Sequence, residues 1–287
     1  MTNYFLKLLI SVLMISTLAS GVMFGQEKKV NWKRDKNLVE EELHLFHSPQ
    51  SINLPTSETM QQGDWEFEIS HRFLPTINDG IKKLYGFDGP VNIRLALGYA
   101  VLNNLVLTLG RSNVDDNVDL WLKYRILQVH SNLFPLIIAA RGGIGWNTDP
   151  GRKDLSDSRD AQYYIQFIFN TMIDKRLAIG VVPSYLYNSH IYSVKVQDSF
   201  TLGTNIQYYI SQNWSVLAEW NPTVSGWRNQ YNSMAFGFEI ETGGHFFKII
   251  LSNNPLLNPS QYLAGSDLSI NSKDWRIGFN ITRLLQF

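Results

Sequence analysis

The sequence predicts an all-β protein, a transmembrane antiparallel up-and-down β-barrel of about 12 strands. The segment from Trp275 to Phe287 alternates apolar and polar residues with a period of two and stops on an aromatic in phase with its apolar face. Short turns and long loops alternate along the chain. The chain is 44% hydrophobic with a slightly negative mean hydropathy. Membrane strands allow this balance because half of each strand faces the lumen.

The first 25 residues have the features of an export signal peptide. Lys7 supplies a positive charge, residues 8–18 are apolar, and Ala-Ser-Gly at 19–21 offers a small-residue cleavage site. The apolar run is shorter than the roughly 20 residues that a spanning helix needs. We therefore assign residues 1–25 to a signal peptide.

Residues 26–63 are predicted to form an N-terminal periplasmic segment. Residues 27–36 are rich in charge, and three glutamates follow at 40–42. Because charge runs are usually solvated, we expect a solvated tail. A plug in the lumen and a docking site for periplasmic proteins remain open alternatives.

Residues 64–287 are assigned to the barrel, in segments of the length that tilted membrane strands need. The candidate strands lie near 64–73, 91–101, 105–111, 117–128, 133–146, 161–173, 177–188, 198–211, 214–222, 232–242, 245–253 and 275–287. Short turns follow the even-numbered strands and longer loops follow most odd-numbered ones. This places both chain ends on the periplasmic side.

Strand register gives a stricter test, because a slip by one residue reverses every side chain. A two-residue turn at Gly243-Gly244 sets Phe238 opposite Ile249 on the outer face. The same turn sets Glu239 opposite Lys248 on the inner face. One choice of turn therefore satisfies both faces.

Aromatic residues are expected at both lipid interfaces. The predicted inner girdle is Trp65, Tyr99, Tyr208, Trp214 and Phe287, and the predicted outer girdle is Phe73, Trp146, Tyr163, Tyr187, Phe200, Trp220 and Trp275.

A charge network is predicted on the lumen face. Its members are Glu66, Glu68, Arg72, Arg94, Asp119, Lys123, Arg125, Glu219, Glu239, Glu241, Lys248 and Arg276. We expect Glu239 to pair with Lys248, and Arg276 to reach Glu66 or Glu68. Partnered charges are what a barrel with limited internal water needs, and a selective polar path for a small solute is the alternative.

The last strand is expected to close the barrel against the first. Its apolar residues Phe279, Ile281, Leu285 and Phe287 form the predicted closure and insertion signal. The expected partners are outer-membrane lipid and the barrel-assembly machinery.

Three motifs suggest chemistry, and each has a simpler interpretation. His71 lies on the outer face as in a barrel phospholipase, but no outward serine adjoins it, so we interpret it as an interfacial residue. The glycine run after Arg141 lacks the Lys-Ser/Thr of a phosphate loop and favours strand coiling. The Asn113–Asp119 loop lacks the glycine and distal glutamate of a calcium site and favours a turn.

Composition narrows the function classes further. With 25 basic and 25 acidic residues, the chain lacks the charge excess of a nucleic-acid binder. It contains no Cys, which excludes disulfides and thiol catalysis. We expect no catalytic residue, no metal site and no cofactor.

Several strings carry a family resemblance: residues 69–73 (ISHRF), 91–99 (VNIRLALGY), 110–112 (GRS) and 122–125 (LKYR). The chain resembles an uncharacterised family of outer-membrane β-barrel proteins, a domain of unknown function found in Bacteroidetes-like bacteria. Leu74-Pro75 departs from the pattern, where a glycine is expected. The resemblance implies the fold and the bacterial outer membrane, and it transfers no catalytic residue.

The function expected from the sequence is a passive or selective pore for small solutes, or the membrane part of an envelope assembly. The alternatives are a barrel-wall lipid hydrolase and a non-transporting scaffold that docks periplasmic partners through residues 26–63.

Overall fold

A computed structural model describes residues 42–149, 160–271 and 274–286 of the chain. The predicted signal peptide, residues 26–41 of the N-terminal segment and the terminal Phe287 lie outside these residues. No helix in the part of the chain that the structure describes is long and apolar enough to cross a membrane.

The folded unit contains thirteen β-strands and two short helical segments. The strands are β1 (Trp65–Thr76), β2 (Val91–Leu102), β3 (Leu105–Ser112), β4 (Asn117–Val129), β5 (Leu136–Asn147), β6 (Ala161–Ile173), β7 (Leu177–Tyr187), β8 (Asp198–Tyr209), β9 (Trp214–Asn221), β10 (Thr223–Gly226), β11 (Ser233–Glu241), β12 (His245–Ser252) and β13 (Arg276–Leu285). A 3₁₀ segment, Ile77–Gly86, follows β1, and helix α1, Pro259–Tyr262, precedes β13.

The strands form one closed antiparallel sheet. β13 pairs with β1, with Ile281 opposite Ile69, and β8 pairs with β9. The short β10 also pairs with β8, so β9 and β10 are two parts of one barrel strand, interrupted at Pro222, which has no backbone N–H to donate. The predicted twelve-stranded barrel is confirmed.

Register in the structure follows the turns. Gly243 and Gly244 adopt φ of 61° and 86°, the left-handed conformation that a tight hairpin turn between twisted strands requires. Phe238 lies opposite Ile249, and Glu239 lies opposite Lys248. The residues that alternate along each strand therefore reach opposite sides of the wall.

The barrel wall is apolar outside and polar inside. Large apolar side chains on the outer face are exposed on strand after strand, among them Leu109, Leu122 and Ile249. Their inward neighbours are mostly polar and buried. An exposed apolar surface that continues around the barrel exceeds the few hundred Å² found on soluble monomers, so lipid is the medium that fits it.

Aromatic pairs lie near both ends of the wall. Trp65 and Tyr99, at the end with the short turns, have ring centroids 4.8 Å apart. Phe236 and Trp275, at the end with the long loops, are 5.7 Å apart. Amphipathic rings at these two levels are what lipid–water interfaces favour.

Candidate functional site

A hairpin formed by residues 43–62 occupies the lumen. Residues 51–60 are all buried, and the chain reverses where the backbone N–H of Ser51 donates to the Leu54 carbonyl at 2.9 Å. The second leg ends beside a short turn, where the backbone N–H of Gln62 donates to Asn103 at 2.7 Å. The hairpin therefore enters and leaves the barrel at its short-turn end.

The expectation of a solvated periplasmic tail is wrong for residues 43–62, which form a plug. The reason is that the lumen of a barrel is polar, so a polar segment finds partners there as readily as in water.

Glu219 on β9 holds the tip of the hairpin. Its carboxylate accepts the backbone N–H groups of Ile52 at 2.6 Å, Leu54 at 2.9 Å and Asn53 at 2.9 and 3.0 Å. Three consecutive donors on one buried carboxylate form charge-assisted hydrogen bonds, which are stronger than neutral ones. Arg72 on β1 adds a bond of 3.0 Å to the Asn53 side chain.

Two lysines hold the carbonyl groups of the hairpin. Lys248 Nζ donates to the carbonyls of Gln50 at 2.5 Å and Ser51 at 2.6 Å. Lys123 Nζ donates to the carbonyl of Pro49 at 2.9 Å. Cations on the wall therefore bind the acceptors of the hairpin, while a wall carboxylate binds its donors.

Apolar side chains add a second kind of anchor. Ile52 packs on Leu217, Ala235 and Ile250. These three residues form a small apolar patch on the inner, mostly polar face of the wall. Leu54 packs against Tyr262 within a larger cluster. Burial of side chains of this size stabilises by roughly 1.5–3 kcal/mol each.

Glu58 ties the two legs of the hairpin together. Its carboxylate accepts the backbone N–H groups of Leu45 at 2.9 Å and Phe46 at 3.1 Å. It also lies 2.9 Å from His44 Nδ1. The hairpin is therefore braced internally as well as against the wall.

A second segment, residues 253–266, folds into the opposite mouth and is called the cap. Asn258 Nδ2 donates to Asp119 at 2.8 Å and also to Asn117. Arg141 Nη2 donates to the Tyr262 hydroxyl at 2.9 Å. Burial raises the pKa of Tyr262, so its phenol stays a neutral hydrogen-bond partner.

Arg276 binds groups at the loop end of the barrel, where it donates to the carbonyl of Asn253 in the cap at 3.1 Å and to that of Leu74 on β1 at 3.0 Å. It donates to both oxygens of Asp267, at 2.8 and 2.7 Å, and lies opposite Thr76 at the loop end of β1. The prediction that it reaches Glu66 or Glu68 is wrong, because those residues are at the other end of the strand.

The hairpin and the cap meet inside the barrel. Leu54 from the hairpin packs in one cluster with Tyr262 and Leu263 from the cap. The cavity left between Leu54, Glu219 and Tyr262 has a volume of about 10 Å³. That is the least space that a single water can occupy, so the two segments fill the lumen at this level.

The structure buries eleven of the twelve predicted lumen residues, and Glu241 is half-buried at the short-turn rim. Lys248 pairs with Glu239 at 3.2 Å. Arg94 pairs with Asp119 at 2.7 Å and with Glu68 at 3.3 Å. The charges are thus grouped in local sets around the hairpin and beneath the cap.

Sequence reasoning missed several lumen residues. Arg141 is buried and donates to Gln166 as well as to Tyr262, but in the sequence it is the first residue of a glycine run. Asn170 accepts the backbone N–H of Ser57 at 2.6 Å, and Gln207 that of His47 at 3.2 Å. The alternation of side chains along each strand could have identified these three residues, since each alternates with outward-facing apolar residues in its strand.

The motifs weighed for chemistry show structural contacts. The His71 ring stacks on Phe279 with centroids 4.3 Å apart, which gives the hydrolase alternative no support. Asp115 and Asp116 adopt φ of 54° and 46° in a turn. Among the described residues, no group of three or more His, Cys, Asp or Glu side chains could hold a metal ion.

Comparison with protein families identifies the family of this chain. The model of a membrane bound beta barrel domain (DUF5777) matches residues 46–285. The match begins within the hairpin, so most of the plug lies in the span that the family model describes. The comparison with curated proteins found no match.

Solved structures with the same architecture are distant in sequence. An outer membrane channel from Pseudomonas putida F1 aligns with a TM-score of 0.51 at 12% identity, over 80% of this chain and 98% of that one. The NanC porin gives 0.47 at 10% identity, over 78% and 100%. Omp33 of Acinetobacter baumannii gives 0.42 at 9%, over 79% and 100%. At 12% identity, the alignment with the Pseudomonas putida channel shows a shared fold alone.

Proposed function

Because the chain belongs to the family of membrane bound beta barrel domains (DUF5777), we propose that it is a channel for small polar solutes that its own hairpin keeps closed. Its closed antiparallel barrel and apolar outer belt are those of bacterial outer-membrane proteins, and the protein is located in that membrane. The proposal concerns what the lumen does there.

The observation that carries the proposal is the way in which the wall binds the hairpin. Glu219, Lys248 and Lys123 satisfy backbone groups of the hairpin, and backbone groups can be exchanged for water without loss of hydrogen bonds. A wall of such residues suits an aqueous path once the hairpin withdraws.

Geometry also supports a direction of opening. Both ends of the hairpin lie at the short-turn end of the barrel. There the Leu43 backbone N–H donates to Gln128 and the Gln62 backbone N–H donates to Asn103. Withdrawal into the periplasm breaks contacts without threading the chain across the barrel. A periplasmic protein that binds residues 26–42 would favour this open state, which keeps the envelope-assembly interpretation within the same proposal.

Planar-bilayer conductance tests the proposal with three chains that share one export signal. The full chain is expected to be mostly silent. A chain in which Gly63 follows the signal, and which thus lacks the hairpin, is expected to show stepwise conductance. A control that lacks only residues 26–41 should behave like the full chain. A silent hairpin-free barrel, shown to be folded by its heat-dependent gel mobility, would overturn the channel proposal.

A cross-link provides a second, independent test of the proposal. Because the natural chain contains no Cys, introduced cysteines can be joined selectively. Ser57 and Asn170 are bonded at 2.6 Å, so Ser57→Cys with Asn170→Cys can be joined by a short reducible linker. Linking should abolish the rare openings of the full chain, and reduction should restore them. Openings that persist in the linked protein would show that the hairpin does not close the path.

A further inference from the structure

His47 lies at the short-turn mouth of the barrel, where the first leg of the hairpin meets the wall. Its side chain is 13% exposed and borders a cavity of about 780 Å³ between the hairpin and the turns after β6 and β8. The ring of Tyr209 on β8 stands edge-on to it, with centroids 4.6 Å apart. The imidazole is therefore held in place while it stays within reach of protons from the periplasm.

Both ring nitrogens of His47 face hydrogen-bond acceptors. Nδ1 lies 2.8 Å from Glu239 Oε1, and Nε2 lies 3.0 Å from the backbone carbonyl oxygen of Gln212. A neutral imidazole carries a single N–H, so in either tautomer and either ring orientation one of these acceptors is left without a donor. The imidazolium ring donates to both acceptors, and the geometry therefore fits the protonated form.

These two bonds join the hairpin to two separate parts of the wall. Glu239 lies on β11, and Gln212 lies in the turn between β8 and β9. Ser48 and the backbone N–H of His47 add bonds to Glu239 at 3.4 Å and to Gln207 at 3.2 Å. Loss of the ring proton thus removes one bond between hairpin and wall, at the end through which the hairpin is proposed to leave.

Other titratable and charged groups of the described chain face this position. They are Glu239 and Glu241 on β11, Lys248 on β12, Lys175 and Arg176 in the turn after β6, Tyr209 on β8, and His44 and Glu58 of the hairpin. Unperturbed imidazole groups change charge between about pH 5 and 8, whereas the other side-chain types do not. The bond from His44 to Glu58 lies within the hairpin, so His47 is the imidazole that binds the wall carboxylate.

We propose that His47 is a pH-sensitive latch, whose protonated ring fastens the hairpin to the wall at the periplasmic mouth and whose deprotonation loosens it. The latch rests on the function proposed above, since the hairpin is the closure that it regulates. The closed state uses both N–H groups of the imidazolium ring, whereas a withdrawn hairpin leaves the ring in water. Raising the pH through the range in which imidazole groups lose their proton, about pH 6 to 7, therefore favours the open state.

Thiol labelling of the full chain measures movement of the hairpin without relying on conductance. Ser51 is 2% exposed at the tip of the hairpin, and its hydroxyl bonds to none of the described residues. Ser51→Cys gives the chain a single thiol, which a maleimide reaches when the hairpin leaves its site. The rate is divided by that of the same chain carrying His47→Gln, because the pH dependence of the thiol itself then cancels.

This ratio of labelling rates should rise about fivefold from about pH 5.5 to about pH 7.5, since one bond to the wall is lost with the proton. The matched controls are His44→Gln, in the hairpin, and His245→Gln, on β12, and both should retain the rise. Loss of the rise in either control would overturn the latch, and a gel that shows the heat-dependent mobility of each variant confirms that it is folded.

Bilayer recordings separate the latch from the channel. The opening frequency of the full chain should rise over the same pH range and should stay constant in His47→Gln. A labelling ratio that rises in a chain that never conducts would support the latch and overturn the channel proposal. A ratio that does not change with pH would overturn the latch even in a chain that conducts.

Discussion

At the scale of single residues, the lumen works by matching each buried charge to backbone groups of the hairpin. Glu219 faces three N–H donors, and Lys248 faces two carbonyls and the Ser48 hydroxyl in addition to Glu239. Each buried charge is compensated by adjacent groups, which limits the free-energy cost of removing the ion from water. Removing one partner should therefore lower the free energy of unfolding by more than the intact pair contributes to it.

Glu219→Gln should loosen the tip of the hairpin. An amide presents one acceptor and one donor where the carboxylate presented two acceptors, so the Asn53 N–H, which Oε2 accepts at 2.9 Å, then faces an NH₂ donor, and all three N–H bonds lose the assistance of the negative charge. The expected loss is about 1–3 kcal/mol, together with more frequent openings in bilayer recordings. Asp88→Asn, in an exposed loop, is the control, and equal opening frequencies in the two variants would contradict the anchor role.

Glu239→Ala should destabilise the short-turn half of the lumen. Its carboxylate lies 3.2 Å from Lys248, 2.8 Å from His47 Nδ1 and 2.6 Å from Gln207. Loss of the anion leaves Lys248 buried with only neutral acceptors, and breaking a buried pair typically costs about 3–5 kcal/mol.

The measurement is the temperature at which the folded band disappears in a heat-modifiability gel. Lys248→Met in the Glu239→Ala background should recover part of the loss, because no unpaired cation then remains. An unchanged transition temperature in the single variant would rule out the pairing as a source of stability.

At the scale of elements, the strands could be predicted and the plug could not. Strands such as β12 alternate strictly between lipid and lumen, and the Gly243-Gly244 turn fixes their register. The hairpin carries the sequence SINLPTSETM over residues 51–60, which is as polar as an external loop. The usual rule that buried means apolar is inverted inside a barrel, so only Ile52, Leu54 and Met60 distinguished residues 51–60 from a tail.

The glycines of β5 show a further limit of sequence reasoning. The sequence predicts strand coiling for them, but Gly145 also makes room for the cap. A Cβ at this position would lie 2.2 Å from Ser260 Oγ and 2.9 Å from Ser260 Cβ. A tertiary contact between residues so far apart in sequence leaves no local pattern to recognise.

Gly145→Ala should therefore displace α1 from its place on the wall. The expected effect is a destabilisation of about 1–3 kcal/mol, as for other overpacked sites, with faster proteolysis within the cap. Gly142→Ala is a matched control in the same strand, because its nearest neighbour would be 3.7 Å away. Equal proteolysis rates for the two variants would contradict the seating of the cap against Gly145.

At the scale of the whole molecule, two segments from opposite ends of the barrel obstruct one lumen in series. The hairpin enters from the short-turn end, the cap folds in from the loop end, and Leu54 meets Tyr262 between them. The family model covers the cap and most of the hairpin, since it spans residues 46–285. The hairpin fills the lumen and the cap narrows the outer mouth, so the conductance is set by the narrower of the two obstructions that remains.

Conductance should consequently depend on the two segments in an unequal and non-additive way. Replacing residues 254–266 by a short glycine-serine turn, which keeps the Asp267 partner of Arg276, should leave the full chain silent, because the hairpin still fills the lumen. The same replacement in the hairpin-free barrel should raise the single-channel conductance above that of hairpin removal alone, since the cap then no longer narrows the outer mouth. Bilayer recordings of the four chains decide the matter. Equal conductance of the hairpin-free barrel with and without the cap would place the cap outside the path, and conductance after cap removal alone would show that the hairpin is not the seal.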